Sequence, residues 1–149
     1  MCKEHILTAI QDAFQIPRPQ SFIRGTCHCE ECLEHEAVMQ AFESEDMSLD
    51  KLNSPSWDPV CFASNEAFHY LLPGLARLAL DYPDAYVAQF LFHLQQPERL
   101  DSLSPRRAQA LLPLLDYLVD QESASLENSR LVDDLFRVRE WLEEISGTS

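Results

Sequence analysis

Residues 65–81 read as a helix with almost no polar side. Phe68, Leu71, Leu72, Leu75, Ala76, Leu78, Ala79 and Leu80 leave only a narrow edge of Glu66, His69, Arg77 and Asp81. A helix that is apolar nearly all round is stable in water only when other elements surround it. The chain therefore has to be built as a bundle about this segment. Ser64 supplies an N-cap, and Glu66 suits the positive end of the helix dipole.

Apolar spacing supplies the surrounding helices. Ile6, Leu7, Ile10, Ala13 and Phe14 predict a first helix over 3–14, ended by Pro17, and Ile16-Pro17-Arg18-Pro19 reads as an extended strut. A second helix, about 30–44, carries Cys32, His35, Val38, Met39 and Phe42 on one face. Tyr82-Pro83-Asp84 restarts a helix over 84–96, and Ser104-Pro105 opens another over about 105–121. Ser125 is the expected cap of a last helix, about 126–145, with the stripe Leu131, Leu135, Val138, Leu142 and Ile145, ended by Gly147. Residues 46–63 read as an irregular connection with a short helical turn at 49–52 and with Trp57 and Phe62 as buried anchors. The predicted fold is all-α, a single domain over residues 1–149 with about five long helices. Two helix hairpins carry an N-terminal helix and a Cys-rich loop.

Leu71-Leu72-Pro73-Gly74-Leu75 is echoed by Leu111-Leu112-Pro113-Leu114-Leu115. Two copies are too few for a solenoid, so two hairpins in one bundle is the simpler reading. Pro73 and Pro113 fall inside their helices, where each removes a backbone hydrogen bond and predicts a kink. The carbonyls freed are those of His69 and Gln109.

The stretch Cys27-His28-Cys29-Glu30-Glu31-Cys32-Leu33-Glu34-His35 has the spacing C-x-C-x2-C-x2-H. Thiolates and imidazole are the ligands zinc prefers, and Cys32 and His35 would lie one turn apart on a helix beginning near Glu30. Cys27, Cys29, Cys32 and His35 are the expected ligands of a small structural zinc site; His28, Cys61 or His69 are the alternatives for one position. Glu30, Glu31, Glu34, Glu36, Glu43, Glu45, Asp46 and Asp50 surround the cluster with no Lys or Arg between Gly25 and Asp50. Negative surroundings disfavour a reactive thiolate and favour a bound cation.

The formal charge of −14 argues against direct binding to nucleic acid or an anionic membrane, and favours basic partners, cations or solubility. The 5 cysteines cannot close a full disulfide framework within one chain. The start, Met1-Cys2-Lys3-Glu4, opens straight into an amphipathic pattern with no signal-peptide character, and the reducing cytoplasm is the expected compartment. No apolar run approaches the ~20 residues a membrane span needs.

Catalytic motifs are absent: no H-E-x-x-H, no G-x-S-x-G and no dinucleotide fingerprint. With 3 glycines the chain can hardly build a phosphate-cradling loop. Asp133-Asp134 and Glu143-Glu144 read as solvated surface, His69 as a hydrogen-bonded structural histidine, and His5 and His93 as isolated residues without a role. No catalytic residue is assigned.

Cys29-Glu30-Glu31-Cys32, Trp57-Asp58-Pro59 and Ser64-Asn65-Glu66-Ala67-Phe68-His69-Tyr70-Leu71-Leu72-Pro73 resemble a family of small acidic helical bacterial proteins classed as a domain of unknown function. The resemblance covers roughly residues 5–120 and is most specific in the Ala67–Pro73 element. It implies a bacterial, cytosolic, helical protein and transfers no catalytic residue. The expected function is that of a non-enzymatic, immunity-like or regulatory partner of a basic protein, built around the zinc site. The alternative is a metal- or thiol-dependent enzyme or metal sensor using Cys27–His35, and a nucleic-acid mimic ranks below both.

Overall fold

The computed structural model describes residues 2–25, 29–42, 47–52 and 58–147. Cys27, His28 and Trp57 lie outside the described residues, as do Glu43, Glu45 and Asp46 of the acidic tract. The helices, in order, are α1 (Lys3–Ala13), α2 (Glu30–Gln40), α3 (Leu49–Leu52), a 3-10 turn at Pro59–Phe62, α4 (Asn65–Asp81), α5 (Pro83–Leu94), α6 (Pro97–Asp101), α7 (Pro105–Gln121), α8 (Ser123–Asn128) and α9 (Val132–Ser146). The all-α class holds. The only strand-like pairing among the described residues is an isolated antiparallel bridge, Ile23 to Ala63. No helix of the described residues is long and apolar enough to cross a membrane.

Helix α4 sits in the middle, as its composition requires. Phe68, Leu71, Leu72, Leu75, Ala76 and Ala79 are fully buried, and each leucine or phenylalanine so placed contributes about 1.5–3 kcal/mol. Ser64 Oγ accepts the Ala67 amide at 3.1 Å, and Ser104 Oγ accepts the Arg107 amide at 3.2 Å, which fixes the first turns of α4 and α7. Both helices continue through their interior prolines, Pro73 and Pro113. The two hairpins are α4 with α5 and α7 with α9; α1 lies across α7 and α4. The buried side chains form one cluster.

Several expectations change. Six helices, α1, α2, α4, α5, α7 and α9, are eleven residues or longer among the described residues, against about five expected. The predicted last helix over 126–145 is two helices, because Arg130 takes the left-handed conformation, φ 57°. The Leu131 amide then returns to the Leu126 carbonyl at 2.9 Å and the Arg130 amide to the Glu127 carbonyl at 3.1 Å, the pattern that closes a helix. Ser125, the expected cap, lies inside α8, and its Oγ donates to Asp84 at 2.5 Å.

Helix α2 ends at Gln40 rather than near residue 44, where the Arg18 guanidinium donates to the Phe42 carbonyl at 2.9 Å and to that of Gln40. An arginine from the preceding strut thus satisfies carbonyls that a helix end leaves unpaired. The connection after α2 is anchored by Met47, Leu52 and Val60, while Phe62 is only half-buried.

Candidate functional site

Two regions hold the chain's chemistry-bearing side chains: the start of α2 and the interior between the 3-10 turn and α4–α6. The chain reaches the first through the Ile23–Ala63 bridge, where Arg24 N donates to the Phe62 carbonyl at 2.9 Å and Ser64 N to that of Phe22 at 2.8 Å. Glu36 of α2 accepts the Phe22 amide at 2.8 Å and the Ser21 hydroxyl at 2.7 Å. Gly25 then takes the left-handed conformation, φ 72°.

Cys29 is the N-cap of α2, and its Sγ accepts the Cys32 amide at 3.4 Å. Cys29 is exposed, Cys32 half-buried and His35 fully buried, so the three descend from surface to core along the first turns. The His35 ring stacks on Phe62, with centroids 4.2 Å apart and planes 16° from parallel, and its Nε2 lies 3.6 Å from Glu31 Oε1. Among the described residues no three His, Cys, Asp or Glu side chains form a group that could hold a metal ion. Of the expected ligands, Cys29, Cys32 and His35 share this one helix, and Cys27 is outside the described residues.

The alternatives for a fourth ligand stand elsewhere. Cys61, on the 3-10 turn, has Sγ 4.0 Å from Gln89 Nε2; burial, then the Asp58 charge, pushes its thiol up. That is the reverse of an activated nucleophile. His69 has both ring nitrogens occupied. Its Nδ1 accepts from Arg107 at 3.0 Å, which leaves the proton on Nε2 to reach Ser102 Oγ at 3.0 Å. Burial, then the Arg107 and Arg99 charges, lowers its pKa to about 4. The structural histidine expected from sequence is what the fold contains.

Sequence reasoning missed the second region altogether. Asp58, His93 and Arg99 are buried together. Arg99 donates to His93 Nδ1 at 3.1 Å, so the ring's proton sits on Nε2 and is donated to Asp58 Oδ2 at 2.9 Å. Asp58 Oδ1 accepts the Val60 amide at 2.9 Å, and Gln89 donates to Oδ2 at 3.2 Å. The guanidinium also donates to the Val60 carbonyl at 2.5 Å and lies 4.3 Å from the centre of the Phe68 ring. Burial lowers Arg99 to about 10, still charged at neutral pH, and burial outweighs Asp58 in lowering His93.

An Asp–His pair invites an acid–base reading, but both nitrogens of this imidazole are filled from within and the ring is fully buried. The network's work is to fasten the 3-10 turn to α5 and α6. A second Arg–His pair, Arg107–His69, does the same for α1, since Arg107 Nε donates to the Ala13 carbonyl at 2.9 Å. Asp58-Pro59 did carry a turn signal in the sequence; nothing in the spacing of His93 or Arg99 marked them as its partners.

Comparison with protein-family models, with curated proteins and with solved structures finds no match to this chain.

Proposed function

We propose that this chain is a non-enzymatic binding protein for a basic partner protein, in an immunity-like or regulatory role. One observation carries the reading: where the arginines point. Arg18, Arg24, Arg77, Arg99, Arg106 and Arg107 all donate to backbone carbonyls of their own chain. The cations therefore brace the fold, while much of the carboxylate excess behind the charge of −14 faces water. A surface of that kind repels nucleic acid and attracts cationic proteins at long range. The reading places the protein in the reducing cytoplasm, the compartment where a chain with an odd number of cysteines keeps its thiols reduced.

The test is affinity capture from lysate across a salt series, with the captured chains identified. A basic protein held at low salt and released by about 0.5 M salt is expected. Capture of nothing, or of a partner indifferent to salt, overturns the reading.

A structural zinc held by Cys27, Cys29, Cys32 and His35 belongs to the same proposal. Cys29 and Cys32, at the cap and third position of α2, fit half of such a donor set. Zinc there would supply a cross-link between the loop and the helix, and no chemistry. Elemental analysis should give about one zinc per chain; protein that purifies without metal and gains no thermal stability from added zinc rules the site out. Thiol reactivity is the second reading, favoured by the Cys32 amide donating to Cys29 Sγ. Labelling against pH decides it, since a thiol titrating well below ~8.5 without metal would displace the structural reading.

A further inference from the structure

Between α6 and the last turns of α9 lies a groove of about 260 Å³. Its floor is apolar, made by Pro97, Leu100, Trp141 and Ile145, and Asp101 and Glu144 stand on its lining with no lysine or arginine among the residues that form it. Trp141 is half-buried, so part of its indole remains open, while Asp101 and Glu144 are exposed. The volume falls below the range usual for cofactor and metabolite pockets. It is enough for one long side chain.

We propose that this groove receives an arginine side chain of the basic partner, an assignment that rests on the partner reading above. An indole face attracts a cation, most effectively a guanidinium, whose plane can stack on the ring while its edge donates to carboxylates. Trp141 supplies the ring, Asp101 and Glu144 supply acceptors on two different helices, and Leu100 and Ile145 match the aliphatic stem. The nearby arginines of α9 are engaged elsewhere: Arg137 with Asp134 at 3.3 Å, Arg139 with Asp116 at 2.7 Å. Neither supplies an internal occupant to the groove. Trp and Arg are among the side chains that most often concentrate binding energy at an interface.

The experiment uses the full chain labelled with fluorotryptophan and titrated with a nona-arginine peptide. Fluorine NMR then gives one signal each for Trp57 and Trp141, assigned with W141F. The expected result is a saturable shift of the Trp141 signal. The double variant D101N/E144Q should weaken it about tenfold, while D133N/E140Q, which removes the same charge from other exposed sites of α9, weakens it less than about threefold. Equal weakening by both pairs overturns the groove in favour of diffuse attraction. A Trp141 signal unmoved while the peptide binds overturns the groove and leaves the basic-partner reading standing. Failure of the salt-series capture removes that reading instead, so the two failures are distinct.

Discussion

His69 is neutral in the folded protein because its ring is buried and lies near the Arg107 and Arg99 charges, while Arg107 on one side and Ser102 on the other fix the tautomer. Its pKa of about 4 lies below the ~6.5 of an unfolded chain. Between those values the unfolded chain takes up a proton that the folded chain refuses. Stability is therefore intact above about pH 6.5 and falls as pH drops toward 4, with at most about 3 kcal/mol at stake from this ring; His93, also lowered, acts in the same direction. Urea unfolding at about pH 7 and pH 4.5 should show the loss, and the His69 ring signals should stay flat down to about pH 5. A ring titrating near its ordinary value would mean that Arg107 does not hold it. The Asp58 network makes a second demand. Asp58→Ala removes the acceptor from His93 and the cap of the 3-10 turn, leaving the Arg99 charge buried, and should cost about 3 kcal/mol in the same assay. The structural role of His69 was legible in the sequence; the joining of His93 and Arg99 to Asp58 was not. His93 looked like one more helical residue, and a buried arginine looks the same in sequence as an exposed one. The acceptor of His93, Asp58, stands 35 residues before it in the chain.

Where local chemistry decides an element, its limits can be read from its residues: α4 and α7 run over the spans expected, because Ser64 and Ser104 each cap their helix from one side chain. The 3.6-residue period also found the buried face of α9, Leu135, Val138 and Leu142. It could not find the break before it. Periodicity reports which side is apolar, whereas a single residue in the left-handed region ends a helix without disturbing that pattern. The same blindness hid α6, whose five residues are too short for a period and whose anchor is the buried Arg99. The closure of α9 uses Gly147 at φ 79°, while α8 closes on Arg130 at φ 57°, a position where a side chain is strained. Arg130 is exposed. Arg130→Gly should therefore raise stability by roughly 0.5–1 kcal/mol, the relief of strain exceeding the added freedom of the unfolded chain. Thermal or urea unfolding measures it, and a loss would show that the Arg130 side chain contributes something its exposed position does not suggest.

On the scale of the whole molecule, the placement of charge separates two effects that usually travel together. Surface ion pairs are few among the described residues, such as Lys3 with Asp81 at 3.8 Å and Arg24 with Glu98 at 3.2 Å, and pairs so exposed contribute little. The braces that matter run from arginine to backbone carbonyls inside the fold, where salt screens weakly. What salt does reach is the mutual repulsion of carboxylates on a chain of net charge −14. Screening that repulsion favours the compact state. Added sodium chloride, from about 0.02 to 0.5 M, should therefore raise the thermal midpoint by about 3 °C or more. The same salt should weaken attachment to a basic partner, because binding draws on the very field that destabilises the free protein. A midpoint that falls with salt would mean that exposed ion pairs hold the fold together. The excess of acid would then have to be explained by internal pairing, and the case for an outward-facing cation-binding surface would lose its physical basis.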